Sequence, residues 1–316
     1  MRKPIFLLLL LASLTGSAQL RWTKADSAYG PLPGSVHVYS AIDTFHGFPF
    51  IGYYASVRLK DRKLLFTAGM GQGKRFTPSQ YYQLEQQPLL VVNCTYFSFT
   101  TNQNLSVVVR DGKMLAYNVN TLRGTGPDSL LYYYITRGAI GIDRKRRADV
   151  AWLFTDSSRR WPYAFEDRPI VAKGRDTVPS IYSLNDIAWK WWKMRTAVGG
   201  GPVLIHDGKV FISDMQEQLY PGEGREGEHL PRTAMGYTRD GRLIVLTVQG
   251  RSLTAAGITL QEEAEILRDL GCYEALNLDG GGSSCLLING KETIRPSDAE
   301  GQRPVPAVFL VKWKKP

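Results

Sequence analysis

Histidine and cysteine are scarce in this 316-residue chain, at four and three residues. No HExxH run occurs and the histidines are scattered, so a zinc site is improbable. Cys94, Cys272 and Cys285 cannot all pair, and none shows CxxC or metal-ligand spacing. If the strands flanking Gly280–Gly282 formed a hairpin, Cys272 and Cys285 would stand roughly 20 Å apart, too far to bridge. No disulfide is assigned. Neither triple-glycine run is followed by Lys-Ser or Lys-Thr and no GxGxxG opens a helix, which excludes the common nucleotide-phosphate loops. Ser283 and Ser284 lack a G-x-S-x-G setting, and His229 would have to act as base from a Gly/Glu-rich loop, so a serine nucleophile is disfavoured.

The longest apolar run, Ile5–Leu14, is too short to span a membrane, which takes roughly 20 residues. With Arg2 and Lys3 before it and Gly16, Ser17 and Ala18 after it, residues 1–18 read as a signal peptide cleaved after Ala18. No cysteine follows to carry a lipid. The expected product is exported, periplasmic or secreted, with residues 19–316 as a single domain. No linker or low-complexity stretch divides it.

Acidic residues are outnumbered 29 to 39, giving a formal charge of +10. Subtracting Arg2 and Lys3 leaves +8, which suits an anionic partner such as a phosphate-bearing glycan. No basic helix with interleaved aromatics is present, and no nucleic-acid partner is expected. The run Arg144–Arg147 reads as a solvated turn. Trp189–Met194 (WKWWKM) reads either as core or as a sugar-stacking patch.

Strands are expected at Val36–Tyr39, Tyr53–Leu59 and Leu64–Thr67, the last two as a hairpin through Lys60–Lys63. Thr77-Pro78 starts a helix to about Gln87, and Leu89–Asn93 is a buried strand. Four apolar strands then run into Asp111-Gly112, Asp207-Gly208, Asp240-Gly241 and Asn289-Gly290, strong hairpin turns because both turn residues take positive φ. Thr259 and Glu262 form a capping box for a helix over Leu260–Leu270, closed by Gly271. That gives Glu262 a structural role that any catalytic one must compete with. The fold class is α+β, with hairpin-rich mixed β-sheets and a few packed helices.

The centre of the chain is Ala275–Asn289 (ALNLDGGGSSCLLIN), where a buried strand ends in Asp279 and three glycines. Glycines there let a ligand or another backbone come close, and exposed N–H groups can hold an anion. A second run, Gly199–Gly201, precedes another hairpin, and the two are expected to converge on one ligand. With Arg232 as a guanidinium fork for phosphate, the surviving chemistry is glycosyl or phosphoester hydrolysis.

Three segments carry a resemblance. Pro231–Ser284 (PRTAMGYTRDGRLIVLTVQGR…GITLQEEAEILRDLGCYEALNLDGGGSS), Ala197–Lys209 (AVGGGPVLIHDGK) and Gly301–Val311 (GQRPVPAVFLV) resemble, in order, the phosphodiester glycosidase family. The likeness covers about 89–311. It implies an α+β domain that hydrolyses a sugar-1-phosphodiester; the substrate itself it does not supply, and envelope or host glycans are expected from the export and the basic charge. It implies Asp279, Glu262 and Arg232 as catalytic, with Asp279 at the anomeric carbon or its attacking water. Thr233, Asn277, Gly281, Gly282 and Ser283 are implied as further site residues, and Asn93, Gly200 and Gly201 are expected to join them in binding substrate. No metal ligand or cofactor is assigned, although a divalent cation is left open. One departure stands out: the family commonly has Asn-Gly-Gly before paired aromatics, where this chain has Asn93-Cys94-Thr95-Tyr96-Phe97. The reading from a different class is a non-catalytic module that binds anionic glycan or cell wall.

Overall fold

The computed structural model describes residues 20–184, 187–219 and 227–314. The expected signal peptide lies outside the described residues. Three large sheets and one small one carry the chain, and every ladder between described strands is antiparallel. The α+β class holds, but the sheets are not mixed, because neighbours are joined by hairpins or by returns from another sheet.

The first sheet has eight strands. Its centre is Phe48–Arg58, Arg242–Val248, Arg232–Thr238, Cys272–Asn277 and Val203–His206, in that order. The second has seven and includes Ala148–Phe154, Arg137–Ile142, Thr196–Gly199 and Val108–Arg110. The third has five and includes Leu286–Ile288, Leu90–Asn93, Ala307–Trp313 and Leu64–Met70. Alternation sets which face is buried: Val36 and Val38 are inside while His37 and Tyr39 are half-buried. All three sheets share one core, in which Met235 and Val245 meet Ile140 and Trp152 and also Val92 and Phe309.

Three of the four Gly turns have both residues at positive φ: Asp111 and Gly112, Asp207 and Gly208, and Asn289 and Gly290. In the fourth only Gly241 is left-handed, at +83°, and its N–H closes the turn on the Thr238 carbonyl. The expected hairpin through Lys60–Lys63 does not form. Phe48–Arg58 pairs instead with Val36–Phe45, across His46 (φ +46°) and Gly47 (φ +87°), and with Arg242–Val248. Both its edges are thereby filled, and Leu64–Met70 leaves for the third sheet.

Two α-helices form. α1 is Pro78–Leu84, with Thr77 and Gln80 exchanging capping hydrogen bonds of 3.2 and 2.9 Å. α2 is Leu260–Asp269, capped by Thr259 and Glu262. It lays Leu260, Ala264 and Leu267 on the first sheet, against Ala234, Leu246 and Ala275. Each fully buried leucine there contributes roughly 2 kcal/mol. Among the described residues no helix is long and apolar enough to cross a membrane. Of the tryptophan run, Trp192 is core, whereas Trp189 and Trp191 are partly exposed at the second sheet's edge.

Candidate active site

Both glycine runs are crossings between sheets. Gly199–Gly201 takes the chain from the second sheet to the first; Gly280–Gly282 takes it from the first to the third. The strands flanking Gly280–Gly282 therefore do not form a hairpin. A Cβ on Gly200 would stand 2.4 Å from the Asn277 carbonyl oxygen, so glycine is required there by backbone against backbone. The amides of Gly199, Gly200, Gly201 and Gly281 donate to the carbonyls of Val107, Gly138, Asn277 and Pro231. The amides of the Gly199–Gly201 run are thus all used by the protein, and of the Gly280–Gly282 run the Gly281 amide is. The first run packs on the strand that leads to the second, the Gly201 amide reaching the Asn277 carbonyl at 2.8 Å, and no glycine of either run lines the neighbouring cavity.

Beside this junction lies a cavity of about 480 Å³, lined by Asp279, Asn277, Arg232, Arg137, Tyr96 and Asp214 among others. Arg137, Arg232 and Asp279 come from strand ends in the first two sheets, and Asp214 from a loop. Asp279 follows the Cys272–Asn277 strand. Its N–H donates to the Cys94 carbonyl at 2.9 Å, and its own carbonyl accepts from Asn93 Nδ2 at 2.5 Å. Asn277 Nδ2 donates to Tyr96 Oη at 2.9 Å and to the Gly201 carbonyl at 2.7 Å, while the Tyr96 hydroxyl donates to that same carbonyl at 2.8 Å. Burial, and then the negative charge of Asp279, push the Tyr96 hydroxyl well above its ordinary value, so it stays protonated. Arg232 is 3% exposed and is aimed by two bonds, Nε to the Ile258 carbonyl at 3.1 Å and Nη2 to the Glu228 carbonyl at 3.3 Å.

Asn93 and Thr233 are buried behind the cavity and do not line it. Asn93 Oδ1 accepts from the Thr233 hydroxyl and the Cys285 amide, both at 3.0 Å, tying the third sheet to the first. Ser283 is buried, with Arg303 Nη1 at 3.5 Å from its hydroxyl. Gly282 lies beneath the Arg303–Asp298 ion pair, and Gly281 faces the Arg251 guanidinium. Glu262 does not reach the cavity. One of its carboxylate oxygens accepts from the Thr259 amide at 2.8 Å and lies 3.2 Å from His229 Nε2, so the cap explains it. The second carboxylate that lines the cavity is Asp214.

Sequence reading missed Arg137, Asp214, Glu217 and Glu263. Arg137 opens an otherwise apolar strand, Arg137–Ile142, and that lone charge was the available signal. Burial lowers its pKa, opposed by the charge of Glu217, and its Nη1 has no hydrogen-bond partner among the described residues. Glu217 is fully buried and accepts from the amides of Gly138 (2.7 Å) and Val203 (2.9 Å) and from the Ser213 hydroxyl (2.6 Å). It pins the loop carrying Asp214 to two sheets. Glu263 is fully buried, and neither carboxylate oxygen has a hydrogen-bond partner among the described residues. Burial pushes it up to about 8, with the Arg232 charge pulling the other way. At the mouth, Phe99 is 61% exposed, with the guanidinium carbons of Arg303 and Arg75 at 5.3 and 5.7 Å from its ring centre. No three His, Cys, Asp or Glu side chains cluster as a metal site among the described residues.

Two solved structures share the fold. A hypothetical protein from Synechocystis superposes with a TM-score of 0.59 at 14% identity, over 93% of this chain and 68% of that one. The catalytic domain of zebrafish N-acetylglucosamine-1-phosphodiester alpha-N-acetylglucosaminidase gives 0.54 at 18% identity, over 93% and 82%. In sequence, the chain is 44% identical over 213 residues to the SPbeta prophage-derived uncharacterized protein YomE of Bacillus subtilis (strain 168), 65% of this chain and 29% of that protein. It is 35% identical over 102 residues to the N-acetylglucosamine-1-phosphodiester alpha-N-acetylglucosaminidase of Mus musculus, 30% of this chain and 20% of that protein. The chain thus spans less than a third of either curated relative. Residues 156–312, which hold Arg232, Asn277, Asp279 and both glycine crossings, match the family model described as phosphodiester glycosidase.

Proposed function

We propose that the protein hydrolyses the bond between a sugar's anomeric carbon and a phosphodiester oxygen, releasing free sugar and a phosphate monoester. The family makes a glycosidase-type hydrolase the enzyme class. The observation that carries the finer reading is one cavity holding Asp279 together with two guanidinium groups, Arg137 and Arg232. Arginine forks match phosphate oxygens and stabilise the charge that gathers on the leaving group. A phosphate monoester leaves readily, so little is asked of a general acid. Asp279 acts at the anomeric carbon or on its attacking water, and Asp214 is the second carboxylate in reach. Phe99, between Arg75 and Arg303, gives the alcohol half of the diester a surface at the mouth. The substrate class is a phosphorylated glycan of the envelope or of a host, met by an exported enzyme; residues 1–18 and the basic charge support that placement.

The test is release of reducing sugar from a panel of α- and β-linked sugar-1-phosphodiesters, with Asp279→Asn alongside. The side chain's shape changes little and the bonds made by the Asp279 backbone to Cys94 and Asn93 are untouched, so the thermal midpoint should hold. The kcat should fall at least about a hundredfold, near 3 kcal/mol. A fully active variant would remove Asp279 from the chemistry. Binding across the panel with no turnover by the unaltered protein would favour a glycan-binding module instead.

A further inference from the structure

The strand Arg137–Ile142 begins at the cavity and ends at a second charged feature. Six residues at about 3.3 Å each put the two roughly 20 Å apart. The turn that follows is firmly built. Asp143 accepts from the Arg147 amide at 2.9 Å and from its Nε at 2.8 Å. Arg146 points inward, its two terminal nitrogens donating to the carbonyls of Leu59 and Leu64 at 3.2 and 2.5 Å. That leaves Arg144, Lys145 and Arg147 exposed on the outer side. They line a groove of about 390 Å³ together with Arg160, Trp161 and Lys193, which come from distant sequence. Trp161 is wedged against the Asp111–Gly112 turn, where a Cβ on Gly112 would lie 3.2 Å from its ring. The Arg160 guanidinium carbon stands 5.0 Å from that ring centre.

Five cations therefore face one groove. Asp143, the single acid lining it among the described residues, is already bound to Arg147. Such a concentration of like charge works against the folded state and is relieved by an anion. The groove has one indole rather than the series of aromatic platforms that single-stranded nucleic acid stacks upon. We propose that it is a second anion site, taking a distant phosphate of the same glycan whose sugar-phosphate bond enters the cavity. The enzyme would then act on a polymer carrying repeated phosphodiesters, held at two points about 20 Å apart. This rests on the function proposed above.

The experiment uses the full chain and a mannan bridged by phosphodiesters, with the same mannan after dephosphorylation as the neutral probe. Binding is measured by affinity electrophoresis at low and at physiological salt. A groove variant changes Arg144, Lys145, Arg160 and Lys193 to Gln. A control variant changes Lys24, Lys209, Arg268 and Lys291 to Gln, removing the same charge from other faces. The groove variant should bind the phosphorylated mannan at least about thirtyfold more weakly at low salt and show a shallower salt dependence, while the control stays within about threefold. Hydrolysis of a short sugar-1-phosphodiester should be unchanged in both. Equal weakening in the two variants, or no binding by the unaltered protein, overturns the proposal. Duplex DNA held as tightly through the same four residues also overturns it and makes the groove a nucleic-acid site. Loss of mannan binding in the groove variant alone, from a protein that turns over no diester, would keep the groove and reject the hydrolase reading.

Discussion

Glu263 allows the most quantitative test of the site's electrostatics. It sits in the first turn of α2, fully buried, with Arg232 as the nearby charge that favours its ionised form. Its carboxyl is held near 8 against an ordinary 4.5. The folded protein therefore binds this proton more tightly than the unfolded chain does. That stabilisation is complete below about pH 4.5 and is lost as the pH rises towards 8. Glu263→Gln keeps the shape of the neutral carboxyl and does not titrate. At about 1.4 kcal/mol per tenfold, the variant should gain on the unaltered protein by roughly 3–4 kcal/mol between pH 5 and pH 8. In a chain of this size that is a gap of roughly 6–8 °C in thermal midpoint. Asp149, which burial pushes up to about 6, titrates in both proteins and cancels in the difference. Urea unfolding of the pair at half-unit pH steps measures it directly. Superimposable profiles, or an unaltered protein that gains on the variant above pH 7, would show Glu263 ionised and paired with Arg232 throughout, and the reasoning would fail.

Three further outcomes follow from the geometry. Arg137→Lys keeps the charge and loses the fork, so hydrolysis of a sugar-1-phosphodiester should lose roughly 1–3 kcal/mol of transition-state stabilisation, and any cleavage of a neutral aryl glycoside less; equal losses would make Arg137 structural. Glu262→Gln preserves a capping box and should leave kcat within about threefold and stability within about 1 kcal/mol, whereas Asp214→Asn should lower kcat at least about tenfold; the reverse result would restore Glu262 as the second carboxylate. Gly200→Ala drives a methyl to 2.4 Å from the Asn277 carbonyl and should cost several kcal/mol of stability, measured by urea unfolding. Gly281→Ala meets nothing closer than Arg251 at 3.4 Å but holds φ at +60°, and should cost only about 1–2 kcal/mol.

What could be read from the sequence was what local chemistry determines. The N-cap at Thr77 and the capping box at Thr259 formed at the expected residues, because a cap and its partner are three positions apart and need no tertiary help. The Asp-Gly and Asn-Gly turns formed for the same reason. Pairing partners were not legible. Nothing in Lys60–Lys63 announces that the strand before it has both edges filled by segments elsewhere, one of them nearly two hundred residues away. The Gly199–Gly201 run was not legible as a backbone crossing, with all three of its amides given to carbonyls. Triple glycine reads equally well as an anion nest and as one backbone crossing another, and only the partners of the amides decide between them. Glu262 and Glu263 are the sharpest case. Adjacent carboxylates on one helical turn point to different surroundings, so one caps the helix while the other lies buried beside Arg232, and no spacing argument separates them.

The centre and the walls of the cavity come from different parts of the chain. Asp279 and Arg232 lie within residues 156–312, on segments anchored by backbone bonds: Asp279 to Cys94, and Leu278 to Thr233 at 2.7 Å. Shifting either one means shifting a sheet, and the shared core resists that because close-packed interiors transmit strain rather than absorb it. The walls are supplied by Tyr96, Phe97 and Phe99, on the stretch where this chain carries Cys94 and Thr95 instead of glycines. Thr95 is buried and its hydroxyl donates to Asn104 Oδ1 at 2.5 Å, closing that stretch on itself. Tyr96 is held in turn by Asn277 and Gly201. A glycine pair at 94 and 95 would give up the Thr95 bond and leave Tyr96 held by its hydroxyl contacts and the bond from the Leu105 amide to its carbonyl. The proposed centre, Asp279 and Arg232, is therefore fixed by the fold, while much of the cavity's shape is set by seven lining residues outside the family match, Tyr96, Phe97, Phe99, Leu105, Ser106, Val119 and Leu122, and differences in the proposed substrate within this fold should concentrate there.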